Sequence, residues 1–272
     1  MGIKKKTFGI ITIFFTSMIV LFVFWRLPSD WKEKTLFPIS MPDVATTAVT
    51  NHAKNSDFSE KIWLHRVNSI ERARIMAEKY KGFEIDFIWE ADSSHFYVAH
   101  DPEPEIYLPL YQMFDSIKDI HSHYLWLDLK NLEEENAEET LDNLIQLTDK
   151  HRLSRKRIIV ESMNAFLLTD FTEAGFNTSF YLPIWDFNPY VVSKEEMMDY
   201  AKNIDAMLQK SNVNYISSDY LSYRFIKKYF PDSQMLLWHL KDNRYTPFLR
   251  KLLTRDNQVK VVLIHEESEG YR

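Results

Sequence analysis

From Lys61 onward the chain alternates short β-rich runs with helical patterns for about two hundred residues, and this alternation limits the fold more than any other feature. The runs are Ile62–His65, Phe83–Trp89, His95–Ala99, Tyr124–Leu129, Arg157–Glu161, Thr178–Leu182, Asn214–Ser218, Gln234–His239 and Val259–His265. Between them, Ala73, Met76, Ala77 and Tyr80 keep the spacing of one helix face. Glu133–Glu135 open a helix that closes at Lys150 and His151, the charge order a helix dipole favours. Ser193-Lys194-Glu195-Glu196 reads as a capping box, the helix after Asn164 stops at Gly175, and Thr246-Pro247 puts proline at a first helical position. Such alternation builds a parallel sheet. The pair Phe83–Trp89 and His95–Ala99 is too closely spaced for a crossover. Eight parallel strands plus one hairpin return are therefore expected.

An open doubly wound sheet commonly carries a glycine-rich first turn. This chain has five glycines, at positions 2, 9, 82, 175 and 270, and they cannot write a phosphate-binding glycine loop. The expected class is α/β, a (β/α)8 TIM-type barrel over residues 61–272, its last helix missing or supplied by the segment before the barrel. The absence of cysteine excludes a disulfide framework, a zinc–cysteine site, an iron–sulfur cluster and a thiol nucleophile. A formal charge of −6 argues against nucleic acid as a partner, because such binders present a basic face.

The N-terminal residues form a separate element. Lys4, Lys5 and Lys6 precede Thr7–Trp25, nineteen residues without a charge, and Arg26 closes the run. At about 1.5 Å per residue this helix spans roughly 28 Å, the thickness of a bilayer core. The apolar run is longer than a signal peptide's, and Phe24-Trp25-Arg26-Leu27-Pro28 offers no small-residue cleavage pattern. The expected organisation is a cytoplasmic tail over 1–6, a transmembrane helix over 7–25 and a proline-broken stalk over 26–60. The barrel over 61–272 lies outside the cytoplasm, by the positive-inside rule.

In a barrel of this kind the chemistry collects at the C-terminal ends of the strands. Those ends carry His65-Arg66, Glu84-Ile85-Asp86, His100-Asp101 and Asp128-Leu129-Lys130. Side chains alternate across a strand, so Glu84 and Asp86 share one face and Phe83, Ile85 and Phe87 the other. The apolar set faces the helices, and the carboxylates face the barrel mouth. Trp126, Asp128 and Lys130 likewise share an inward face. Three converging carboxylates repel unless a cation neutralises them, and all-oxygen ligation suits a divalent cation, Mg²⁺ or Ca²⁺. The other reading is a solvated acidic rim, or ion pairs with Lys130 and Arg66. His65 and His100 flank the cluster, and a histidine pair beside a metal suits phosphodiester cleavage, one as base or nucleophile and one as acid.

His65-Arg66-Val67-Asn68, Glu84-x-Asp86, His100-Asp101, Asp128-Leu129-Lys130 and Leu237-Trp238 together resemble the glycerophosphodiester phosphodiesterase superfamily, over roughly residues 61–265. Val67 stands where those enzymes have glycine, and Asp128 where they have glutamate. Both departures resemble the sphingomyelinase D branch, and His65-x-Val67-Asn68-Ser69 is also similar to the menorin branch. The resemblance implies a metal-dependent phosphodiesterase acting on a glycerophosphodiester or phospholipid-type substrate. It implies Glu84, Asp86 and Asp128 as metal ligands, His65 and His100 as the acid/base pair and Lys130 on a phosphoryl oxygen. Arg66, Asn68 and Trp238 would orient or cover the substrate, and a neighbouring substrate hydroxyl would attack phosphorus to leave a cyclic phosphate.

Further residues are weaker candidates. His121 and His123 precede a strand in a polar stretch and are expected at the surface. His239 and His265 end late strands and could line the mouth. Glu161 and Ser162 end a middle strand, where either could contact a ligand. Trp185, Phe187 and Tyr190 crowd one loop, as a cover over the barrel or a lipid- or sugar-binding surface. The competing function is a non-catalytic barrel that binds phospholipid, glycan or a protein partner; both histidines being present favours the enzyme.

Overall fold

The computed structural model describes residues 41–43, 58–101, 107–182, 192–238 and 247–266, together with Ser17. The chain divides into two units, Met1–Ser40 and Met41–Arg272. In the first, Ser17 is helical and exposed, and the rest of the expected 7–25 anchor lies outside the described residues. Among the described residues no helix is long and apolar enough to cross a membrane.

Among the described residues the second unit has ten strands: β1 (Ile62–Leu64), β2 (Gly82–Glu90), β3 (His95–Val98), β4 (Leu108–Pro109), β5 (Tyr124–Leu129), β6 (Ile158–Ser162), β7 (Asn177–Tyr181), β8 (Tyr215–Asp219), β9 (Gln234–Trp238) and β10 (Val259–Ile264). The order β1-β10-β9-β8-β7-β6-β5-β2 closes on itself through a β1–β2 pairing, with every neighbour parallel. This is the expected eight-stranded barrel. The hairpin return is also as expected: β3 runs antiparallel to β2, and the two-residue β4 adds to it.

Among the described residues, seven α-helices accompany the strands: α1 (Ile70–Ala77), α2 (Leu110–Ser116), α3 (Ala137–Lys150), α4 (Leu168–Glu173), α5 (Lys194–Lys210), α6 (Tyr223–Tyr229) and α7 (Pro247–Arg255). The Ser193–Glu196 capping box forms with both of its hydrogen bonds. Gly175 follows α4 at φ 97°, a conformation that glycine reaches without a Cβ penalty. Two expected boundaries move. Tyr80 lies beyond the end of α1, and α3 begins at Ala137 because the Asn136 side chain accepts from the Glu133 N–H at 2.9 Å and holds Glu133–Asn136 in a turn.

Strand alternation sorts the core into two layers. Phe83, Ile85 and Phe87 of β2, with Leu125, Leu127 and Leu129 of β5, are buried on the outward, helix-facing side. Inward, Trp63, Trp126, Ile159, Tyr215, Leu236, Val261 and Leu263 pack into one cluster and fill the barrel. Gly82 belongs to that inner layer, and a Cβ there would stand 2.3 Å from the Trp63 ring, so β2 has a glycine where β1 places its largest side chain. Phe58 packs edge-on against Trp63 at 5.0 Å and Tyr124 at 5.3 Å, which adds an aromatic residue to the floor. Near the same end, Tyr229 donates its hydroxyl to the Pro42 carbonyl at 2.6 Å, and Lys228 pairs with Asp43 at 2.9 Å. A solid floor leaves the C-terminal mouth as the place for a cavity.

Candidate active site

The mouth opens as a cleft of about 490 Å³, open space included, lined from β2, β5, β6, β7, β9 and β10 and from the loops that follow β1, β3 and β5. Glu84 and Asp86 point into it from β2, Asp128 from β5, and Lys130 from the residue after β5. In register Asp86 stands beside Asp128, so the two strands bring these carboxyls to one height. One oxygen from each of Glu84, Asp86 and Asp128 lies within 4.8 Å of the others.

The three carboxyls are not equivalent. Glu84 is buried, accepts from the Arg66 backbone N–H at 2.6 Å through Oε2, and leaves Oε1 with no partner. Burial, then Asp86 and Asp128, push its pKa well above the ordinary value. Burial also acts to raise Asp86, but Lys130 and Asn68 outweigh it and hold that carboxyl below its usual value. Asp128 is raised, by burial and by Asp86, against the opposing pull of Lys130. Lys130 reaches Asp86 at 2.7 Å and also bonds Asp128. Burial alone would lower its pKa, but the three carboxyls raise it further, so it is a permanent cation. One ammonium against three carboxyls, with Glu84 Oε1 unpartnered, is a donor set that fits a hard divalent cation bound through oxygen. The ion-pair reading also has a physical basis, since Lys130 is engaged as that reading expects.

His65 follows β1 with its backbone N–H bonded to the Ile264 carbonyl at 2.8 Å, which fixes its backbone at the barrel mouth. Its Nε2 is 3.7 Å from Glu84 Oε2 and its buried Nδ1 has no partner. Burial first, then His265 and Arg66, lower its pKa from 6.5 to about 3, so it is uncharged at neutral pH. His100 arrives by the hairpin: β2 overshoots the barrel rim and β3 brings the chain back, Ala99 donating to the Asp86 carbonyl at 3.1 Å. His100 Nε2 lies 3.3 Å from Arg66 Nη2, and Nδ1 lies 3.2 Å from Asp101 Oδ1. A guanidinium only donates and a carboxylate only accepts, so these contacts select the tautomer with the proton on Nδ1 and a lone pair on Nε2.

Arg66 lines the cleft with φ 56°, a conformation that costs a non-glycine residue roughly 1–3 kcal/mol. Trp238 lines it from β9 and stacks on Tyr181 with ring centroids 5.6 Å apart. Asn68 does not line it. Its amide is spent on Asp86, donating to Oδ2 at 2.6 Å and accepting from the backbone N–H at 3.1 Å. The structure thus brings together eight of the nine residues singled out by sequence and places Asn68 directly behind one of them.

Glu161, Tyr181, Trp126 and Leu263 complete the lining. Glu161 is the strand-end residue noted above; burial and then Asp128 push its carboxyl well above the ordinary value. Burial and Glu161 raise the Tyr181 hydroxyl. Tyr181 was readable by the same alternation that found Glu84, since it ends β7 on the inward face, two residues after the buried Ser179. His265, a weaker candidate for the mouth, does not line the cleft but packs beside it, its ring centroid 4.8 Å from that of His65. His123 is a correction. It is buried, not at the surface, because the turn Ile120–Ser122 tucks its ring against Phe83 and Nε2 reaches the Ala77 carbonyl at 2.9 Å. His239, Trp185, Phe187 and Tyr190 lie outside the described residues.

A closed parallel barrel with carboxylates, a lysine and two histidines at its C-terminal mouth is an arrangement with solved counterparts in fold. No family model matches the chain, and no curated protein matches it. Among solved structures, a glycerophosphodiester phosphodiesterase from Parabacteroides distasonis is similar with a TM-score of 0.53 and 15% identity, over 75% of this chain and 92% of that one. A Galdieria sulphuraria protein assigned by name to the same activity gives a TM-score of 0.52 and 13% identity, over 75% and 93% of the two chains. One from Agrobacterium tumefaciens, also so assigned, gives 0.52 and 13%, over 75% and 92%. The chain therefore has the barrel fold of the glycerophosphodiester phosphodiesterases.

Proposed function

We propose that this protein is a metal-assisted phosphoric diester hydrolase acting on a glycerophosphodiester or phospholipid-type substrate. The observation that carries the reading is the convergence on one cleft of His65, His100, Lys130 and the triad Glu84, Asp86 and Asp128. The triad would hold the divalent cation, Mg²⁺ or Ca²⁺, which when bound offsets charge building on the non-bridging oxygens of the phosphate. Lys130, cationic at any working pH, holds one of those oxygens, and Arg66 holds another at the rim. His100 Nε2 takes the proton of the attacking hydroxyl, a neighbouring hydroxyl of the substrate or water. His65 is uncharged in the free protein, and an anionic phosphate beside it raises its affinity for a proton. It takes that proton from solvent as the substrate binds and delivers it to the leaving oxygen as the phosphorus–oxygen bond breaks. A screen of glycerophosphodiesters, lysophospholipids and sphingomyelin, with and without EDTA, tests the reading; inactivity on all of them with metal present would favour a binding role.

The same proposal places the enzyme at a membrane, with Thr7–Trp25 as a single anchor and the barrel outside the cytoplasm. The support is the lysine triplet followed by nineteen uncharged residues. An alkaline phosphatase fused after Arg272 should be active; an inactive phosphatase with an active cytoplasmic reporter at that point would reverse the orientation.

A further inference from the structure

Charge is unevenly placed along the barrel axis. At the mouth, Glu133, Glu134, Glu135, Glu138 and Glu139 are exposed on the loop after β5 and the first turn of α3. At the floor, three neighbouring strands start from basic segments: Lys81 precedes β2, Lys118 precedes β5, and Arg152, Lys156 and Arg157 precede β6. Contacts hold these segments side by side. Tyr124 donates its N–H to the Lys81 carbonyl at 2.7 Å. Arg157 donates to the Ser122 carbonyl at 3.0 Å, and its guanidinium stands 4.6 Å from the Tyr124 ring centroid. Lys81, Lys118, Arg152 and Lys156 are exposed, and neither they nor Arg157 pair with a carboxylate among the described residues. Glu78 and Asp119 are the acids within these segments, and Asp149 is already paired with Arg155 at 2.7 Å. A helix dipole favours cations only about its last turn. Lys81 lies past the end of α1, Lys118 past α2, and Arg152, Lys156 and Arg157 past α3, so the dipoles do not account for them.

We propose that this floor is a docking surface for an anionic lipid bilayer, so that the mouth faces away from the membrane. The proposal rests on the membrane reading above and not on the chemistry of the cleft. The described chain of the barrel unit begins at this end, where Tyr229 and Lys228, at the end of α6, hold Pro42 and Asp43. The sequence before those residues includes Thr7–Trp25, the run read above as an anchor. Headgroup phosphates supply the counter-charges that the floor lacks, and the same surface repels the glutamates at the mouth. A diester then enters the cleft from the aqueous side.

The chain has no cysteine, so a single introduced thiol can report on either end. Ser154, exposed just before β6, marks the floor, and Met163, exposed just after it, marks the mouth. Full-length Ser154→Cys and Met163→Cys, each carrying a fluorophore, are reconstituted in vesicles of phosphatidylcholine alone or mixed with phosphatidylglycerol. A quencher carried on lipid headgroups reads which end meets the surface. The Ser154 label should be quenched in the mixed vesicles and released by high salt, while the Met163 label stays bright in both. Each Lys or Arg near an anionic surface contributes about a fivefold preference. Lys81→Glu, Lys118→Glu and Lys156→Glu together should therefore abolish the quenching without moving the melting temperature. Quenching at Ser154 that ignores lipid charge or survives the triple substitution would overturn the proposal, as would quenching at Met163 instead. A chain indifferent to mixed vesicles, but held on heparin until the triple substitution, would assign the floor to a soluble polyanion and overturn it too. Flotation separates this from the anchor. A chain that floats with mixed vesicles only keeps the floor and loses the anchor; one that floats with both, its label blind to lipid charge, keeps the anchor and loses the floor.

Discussion

Asn68 grips Asp86 twice: its Nδ2 donates to Oδ2 at 2.6 Å, and its Oδ1 accepts from the Asp86 backbone N–H at 3.1 Å. The first bond orients the carboxylate and the second fixes the strand beneath it. Asn68→Ala removes both and leaves a buried N–H and a carboxylate oxygen short of partners, at a cost of about 1–3 kcal/mol. Denaturant melts should register that loss, and the stabilisation by a divalent cation should shrink with it. An Asn68→Ala protein as stable as wild type, with an unchanged response to metal, would remove this role.

The cation site makes a separate prediction. Mg²⁺ or Ca²⁺ at about 100 times its dissociation constant should stabilise the fold by about 2.7 kcal/mol. Glu84→Gln keeps an oxygen toward the Arg66 N–H but removes a carboxyl whose ionisation burial, Asp86 and Asp128 all oppose. It should therefore raise the metal-free melting temperature and reduce the metal-induced shift. A wild-type melt indifferent to Mg²⁺, Ca²⁺ and Mn²⁺ would contradict the site.

Two buried groups shape the pH dependence of the metal-free protein in opposite senses. The Glu84 carboxyl is raised well above 4.5, so its stability contribution is full below about that pH and is lost as pH rises through the folded value. His65 is lowered from 6.5 to about 3, so the unfolded chain takes up the proton first as pH falls. Stability drops across that window by about 1.4 kcal/mol per pH unit. His65→Gln should flatten the acid limb and Glu84→Gln the limb at higher pH, read from denaturant midpoints between pH 4 and 8. A His65→Gln curve parallel to wild type below pH 6.5 would show that the ring is not held neutral.

Much of this architecture was legible because each layer obeys one rule at a time. Strand alternation alone put Glu84 and Asp86 on the mouth side and Phe83, Ile85 and Phe87 behind them, and burial agrees. The hairpin was visible from the short gap between Trp89 and His95, and it explains how His100 reaches Asp86. Contacts between distant segments left weaker traces. Nothing near Asn68 indicates that its amide turns back onto β2 eighteen residues later, and nothing in the polar stretch around His123 shows that the ring reaches the Ala77 carbonyl. Glu161 was noted as a strand-end candidate, whereas Tyr181 follows only the small polar Ser179 on its face of β7, and a lone tyrosine at a strand end does not by itself indicate a site.

The orientation of His100 gives a further prediction. Asp101 fixes the proton on Nδ1, and Asp101→Asn can present an N–H to that nitrogen and favour the other tautomer. Turnover should fall, by less than in His100→Ala because both side chains are partly or fully exposed to solvent. An unchanged rate and pH profile in Asp101→Asn would mean that the tautomer is set elsewhere.

The central claim is that His65 and His100 move protons around a phosphodiester beside the carboxylate triad. The most direct measurement is the rate of the full chain, with saturating divalent cation, on whichever diester it cleaves, against His65→Ala and His100→Ala under the same conditions. Each variant should lose at least about 10²-fold in rate while keeping the metal-induced rise in melting temperature. The double variant should be little slower than the slower single one, because groups that act as a unit are not additive. Near-wild-type turnover in either single variant would contradict the two-histidine mechanism.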